Sequence, residues 1–249
     1  MIHLHQLLEQ SNVGCYVDPT HNNHGDHLIQ VLTRMREERD KIICFYAGEC
    51  DAIASLKRVP GLLRLPFPTC WVEAVLIGEG GEHLYCGIYA FEKPEERQTY
   101  CCAFHRIEKN KWAYLGDLSW NWDGKEEVYR SDGPTELFEY QYYWFASFLT
   151  AVNCNNVKRI KIEPSQQLQR ARIRKGKVPM AAYYTLHLGL TPEQQASEEK
   201  GQQYSGRESP RLHPRRGHAR QYLPGKWCWV QHTMVGTKER GIIIKDYSI

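Results

Sequence analysis

The spacing of apolar residues changes along the chain, and each change marks a different kind of element. Met1–Gln10 reads as a short helix. From Asp26 onward, Leu28, Val31, Leu32 and Met35 recur at helical spacing, with Arg34, Arg36, Glu37 and Glu38 on the other faces. Asp26 is placed to cap that helix, because its carboxylate can accept from the amides of the first turn. The helical signal either runs on through Ile42–Tyr46 or breaks near Gly48. Pro60, Pro66 and Pro68 then mark an extended linker. Beyond it the runs Cys70–Ile77 and His83–Phe91 are β-rich and joined by Gly78–Gly81, and Thr99–Ile107 and Trp112–Trp120 flank Glu108–Lys111. Both arrangements read as hairpins, and together they predict an antiparallel meander.

Thr135–Val152 carries the strongest helical pattern. Leu137, Tyr140, Trp144, Phe148 and Val152 fall on one stripe, which Phe145 and Leu149 widen, so burial against the sheet is expected. Val157–Ile162 reads as a strand, Ser165–Lys175 as a short basic helix and Met180–Leu188 as another strand. Thr191–Ser209 is polar and reads as a loop. Lys226–Val235 and Gly241–Tyr247 are expected to complete the sheet. Strands, then a helix, then more strands predict an α+β fold: a largely antiparallel sheet packed against helices, with one buried aromatic helix at 135–152. The expected organisation is a helical region over 1–60 and an α+β domain over 61–249, with a basic part at 157–226. There is no internal repeat.

Composition narrows the function classes. The chain of 249 residues has 15 Tyr, 7 Trp and 7 Phe, ample material for a core, which excludes a disordered chain. No apolar run approaches the roughly 20 residues that cross a bilayer, and the start lacks a secretory-signal pattern, so a cytoplasmic protein with no membrane partner is expected. Nine cysteines are scattered without a CxxC pair, as expected of reduced structural thiols. Net charge is only +3, but it is unevenly placed. Residues 157–226 hold 15 Lys and Arg against 5 Asp and Glu, whereas the remainder carries −7. A basic block on an acidic body is the footprint of a surface for polyanions.

Several motifs lead away from catalysis. Gly78–Gly81 is followed by a strand and not by a helix, so it is a turn and not a phosphate cradle. His21, His24 and His27 with Asp26, and the acids Asp117, Asp123, Glu126 and Glu127, could hold a metal or do acid–base work, but nothing in their spacing selects them. No metal or cofactor is therefore expected.

Two basic segments carry more. Leu168–Pro179 includes Arg170, Arg172, Arg174 and Lys177, with Arg170 and Arg174 four apart on a helix and Gly176 placed to end it. Ser209–Tyr222 includes Arg211, His213, Arg215, Arg216, His218 and Arg220 with almost no acid. Guanidinium forks match phosphate oxygens and stack on bases. Trp227 and Trp229 then alternate, so they share a sheet face: a stacking platform for unpaired bases if exposed, and core if buried. His213 and His218 are candidates for the base and acid of metal-free RNA cleavage; the alternative is that they hold the arginine loop in shape.

These residues resemble a group of phage and plasmid proteins related to a type V-A anti-CRISPR. The resemblance rests on Leu168-x-Arg170-x-Arg172-x-x-x-Gly176-Lys177-x-Pro179 and on Pro210-x-x-His213-x-Arg215-Arg216-Gly217-His218-x-Arg220. Gly225-Lys226-x-x-Trp229-Val230, Val235-Gly236 and Lys245-Asp246-Tyr247 add to it, as does the strand entry Pro68, Cys70, Trp71 and Val72. It covers residues 135–249. It implies a mobile-element protein in a bacterial host cell that evades host defence by lowering production of a CRISPR effector. The implied partners are RNA or the effector's ribosome-associated nascent chain. A ribonuclease using His213 and His218, and a module that takes an extended peptide by strand addition, are the other readings the residues support.

Overall fold

The architecture was derived from a computed structural model. It describes residues 3–10, 14–15, 24–51, 59–77, 81–108, 111–122, 127–131, 135–189, 211–215, 218–230, 233–235 and 237–242. The expected loop at 191–209 lies outside them.

The meander is present as expected. Strands β3 (Thr69–Ile77), β4 (His83–Lys93), β5 (Gln98–Glu108) and β6 (Lys111–Asn121) pair antiparallel in sequence. On the outer edge of β6, β1 (Gly14–Cys15) pairs parallel and β7 (Glu127–Ser131) pairs antiparallel. On the other side, β3 pairs parallel with β2 (Ile43–Asp51), which pairs parallel with β9 (Tyr183–Leu188); β9 pairs antiparallel with the edge strand β8 (Val157–Ile162). The fold is thus α+β, with a mixed, largely antiparallel nine-stranded sheet.

Alternation along the strands sorts the core into two layers. Cys70, Val72, Ala74, Ile88, Ala90, Ala103, Leu118 and Trp120 face helix α3 (Thr135–Val152), meeting Phe138, Tyr142, Phe145, Phe148 and Leu149. On the opposite face Trp71, Tyr89, Phe91, Cys102, Phe104, Trp112 and Tyr114 meet helices α1 (Leu4–Glu9) and α2 (His24–Glu37) through Leu4, Leu7, Leu28, Val31, Leu32 and Met35. Period-2 burial on both faces explains why these strands are so apolar. Trp71 lies over Gly87: a Cβ built there would sit 2.4 Å from the Trp71 ring. Trp71 also donates from Nε1 to the buried Glu73 carboxylate (2.6 Å), which in turn accepts from the His3 backbone N–H.

Four expectations change. Ile42–Tyr46 does not continue α2; that helix ends at Glu37, a single 3-10 turn follows, and Ile43–Asp51 is an interior strand. Asp26 lies inside α2 and not before it. On α3, Tyr140 is exposed, and the buried face is broader than the predicted stripe because Gln141, Ser147 and Thr150 are enclosed too. Ser147 and Thr150 satisfy their hydroxyls by donating to the carbonyls of Tyr143 and Ala146. Finally, the carboxyl-terminal strands do not extend the main sheet. β11 (His218–Leu223) and β12 (Lys226–Val230) form a two-stranded hairpin. β10 (Arg211–Arg215), β13 (Thr233–Val235) and β14 (Thr237–Ile242) form a separate three-stranded sheet.

Candidate nucleic-acid interface

The basic helix is α4 (Gln166–Arg174). Ser165 caps it, its Oγ accepting from Leu168 N–H (3.3 Å), and Gly176 ends it at φ 65°, a conformation that suits glycine. None of its residues is buried. Hydrophobic burial therefore does not hold it in place, and two polar clamps do. The Gln169 amide donates to Met180 O (2.7 Å) and accepts from Met180 N–H (2.9 Å). Arg172 donates to Val178 O and to Glu9 Oε1, both at 2.8 Å, and Glu9 accepts in addition from Val178 N–H. Arg172 thus serves as a tie between α4, the chain that follows it and α1, with its guanidinium directed at an internal carboxylate.

The other cations of this region face water. Arg170 and Arg174, one turn apart, are exposed, as are Lys175 and Lys177 just beyond the helix. On the adjoining edge strand Lys158, Arg159 and Lys161 are exposed, with Arg159 over the Phe67 ring. Residues 157–177 hold eight Lys and Arg and a single acid, Glu163, so one carboxylate cannot neutralise the patch. Glu163 pairs with Lys161 (2.5 Å), which raises the lysine's pKa through the hydrogen bond and the charge. Ile160, Ile162, Leu168 and Ile173 are exposed among these cations.

The second basic segment is carried partly by the β11–β12 hairpin. Ala219, Trp227 and Trp229 pack against Leu62, Cys154 and Val157, so the two tryptophans share a face that is turned to a small core. They are half-buried and do not form an open stacking platform. Asn155 and Asn156, in the turn from α3 to β8, dock the hairpin. Trp227 N–H donates to Asn155 Oδ1 (3.2 Å), Trp229 N–H to Asn156 Oδ1 (2.7 Å), and Asn156 Nδ2 to Trp229 O (2.9 Å). His218 and Arg220 lie half-buried on β11. Arg216, and the side chains of Arg211, His213 and Arg215, lie outside the described residues. His213 and His218 are on strands of different sheets.

The hairpin therefore sits at the start of β8, and α4 follows its end. β8 has six residues, which span about 17 Å. β8, with Lys158, Arg159 and Lys161, joins the hairpin docked at its start to α4 after its end.

The sequence reading missed the parts that fix this arrangement, namely Glu9, Asn155, Asn156 and Gln169. Of the acidic and histidine groups it weighed for metal or acid–base chemistry, the structure joins only His27 to Asp117 (3.4 Å) among the described residues, and Asp117 also accepts from the Tyr114 hydroxyl. No helix among the described residues is long and apolar enough to cross a membrane. No protein-family model, curated protein or solved structure matches the chain.

Proposed function

We propose that the protein binds RNA through the exposed basic face of β8 and α4, and that this surface serves an anti-CRISPR-like inhibitor acting on effector production. The supporting observation is the exposure of Arg170 and Arg174 on a helix with no buried residue, and of Lys175 and Lys177 just beyond it. A helix with no buried residue contributes little apolar stabilisation, so its cations are available to a partner rather than committed to packing. Arg172 is committed, and is not part of the contact set. Lys158, Arg159 and Lys161 continue the cations along the sheet edge, with Lys158 on one side of β8 and Arg159 and Lys161 on the other. The exposed Ile160 and Ile162 offer apolar contact to bases or sugars there. Neutralising phosphates with several cations releases counterions, so the interaction is expected to weaken steeply with salt.

The engagement of messenger RNA or nascent chain, with the host cytoplasm as the place of action, follows from the resemblance of residues 135–249 and is part of the same proposal. Fluorescence anisotropy with a labelled single-stranded RNA tests the binding step. The wild-type chain should bind, and Arg170→Ala with Arg174→Ala should bind more weakly while unfolding at the same temperature. Binding that is absent in the wild-type chain rejects the proposal.

A further inference from the structure

A cleft of about 330 Å³ opens where β2 and β9 begin and β8 ends. No residue of α4 lines it, although Lys161 of the basic surface and Val178 and Pro179 of the segment after the helix do. Its apolar wall includes Leu4, Leu8, Ile42, Pro179 and Met180. Arg39, Asp40 and Lys161 also line it. We propose that this cleft binds a small aliphatic carboxylate, with the hydrocarbon chain on the apolar wall and the carboxylate between Arg39 and Lys161.

The volume and lining suit such a ligand. Sites for small molecules are typically concave, mostly apolar and a few hundred Å³ in size, with a few polar groups that orient the ligand. The apolar lining here is aliphatic for the most part, which favours a flexible chain over a flat polar-edged base. Both cations are paired with exposed acids, Arg39 with Asp40 (3.3 Å), which itself lines the cleft, and Lys161 with Glu163 (2.5 Å), so a bound carboxylate would take the place of Asp40 on Arg39. Exposed pairs of this kind are weak and exchange readily for a better-placed anion. His5 in the lining is held neutral, its pKa lowered to about 4 by burial and then by the charge of Arg172, so it adds a polar ring and no competing charge.

The wall is also preformed. Residues 178–182 belong to no helix or strand, yet Val178 and Met180 each have both backbone groups tied down, by Arg172 and Glu9 and by Gln169. A rigid wall lowers the ordering cost of binding.

Isothermal titration of the full-length chain with octanoate tests the proposal, with octan-1-ol and octylamine as chain-matched controls. Octanoate should saturate one site, octan-1-ol should bind at least tenfold more weakly, and octylamine should not saturate. Ala182→Phe, which places a ring in the cleft, should abolish octanoate binding. Arg39→Ala with Lys161→Ala changes only exposed side chains; it should weaken octanoate at least fivefold with thermal unfolding unchanged, and it decides the matter if Ala182→Phe does not fold. The absence of saturable octanoate binding, equal binding of octanoate and octan-1-ol, or undiminished binding by the double variant overturns the proposal.

Discussion

Asn156 pairs with the backbone of Trp229 at two points, donating from Nδ2 to the carbonyl (2.9 Å) and accepting at Oδ1 from the N–H (2.7 Å). One side chain thereby does the work of a neighbouring strand and fastens the β11–β12 hairpin to the start of β8. Its Nδ2 also donates to Gly189 O (3.1 Å), so the same amide ties down the end of β9. Asn156→Ala leaves these backbone groups without their partner, at a cost of about 1–3 kcal/mol. Hydrogen exchange should speed up at residues 226–230 and 218–222, and leave the β3–β6 meander protected. Uniform exchange in both regions would contradict the docking role.

Gly87→Ala is expected to be among the most damaging small substitutions. The added methyl meets two Trp71 ring carbons at 2.4 and 2.5 Å and Trp112 at 3.1 Å. Both rings are fully buried and cannot swing away, so strain of about 1–3 kcal/mol or more follows. The urea midpoint reads it directly. A midpoint within error of wild type would show that the Trp71 layer is looser than described.

Acid should weaken the amino-terminal helix through His5. Burial lowers its pKa from 6.5 to about 4, Arg172 adds to the shift, and Glu9 opposes it. The unfolded chain therefore binds a proton that the folded chain refuses between those values. Stability is full above about pH 6.5 and is lost as pH falls toward 4, by up to about 3 kcal/mol at roughly 1.4 kcal/mol per unit. Burial lowers the pKa of His105 as well, with the same sign. His5→Asn should flatten part of the pH dependence of the unfolding midpoint between pH 7 and 4.5. An unchanged profile would remove His5 from this role.

Arg172 and Glu9 are expected to act as one unit. Their pair joins α4 to α1 at 2.8 Å, and Arg172 is mostly shielded from solvent. Each single alanine variant should cost about 1–2 kcal/mol, and the double variant should cost clearly less than the sum. Additive losses in a double-mutant cycle would mean that the pair carries no coupling.

The meander and α3 were legible in the sequence because each has a clean period. Strand β2 was not legible, because Ile42–Ala47 is a continuous apolar run. It sits inside the sheet with Cys44 facing one layer and Phe45 the other, so burial on both sides erases the alternation that marks a strand. Trp227 and Trp229 were correctly placed on one face, but alternation cannot say whether a face meets water or Cys154 and Val157. The cationic helix was legible as well. The role of Arg172 was not, because its partner Glu9 lies 163 residues away and a lone acid in a short helix carries no local signal. Asn155 and Asn156 carry no local signal of their docking role, since their partners arrive with a hairpin some 70 residues later.

The salt dependence of RNA affinity tests the central claim most directly. Single-stranded RNA binding to the wild-type chain should fall with salt. Arg170→Ala, Arg174→Ala and Lys175→Ala together should make the log–log slope shallower by about 2, at roughly 0.7 for each phosphate that is no longer neutralised. The triple variant should keep the wild-type unfolding temperature, since none of the three side chains is buried. A triple variant that binds RNA with wild-type affinity and slope would contradict the account.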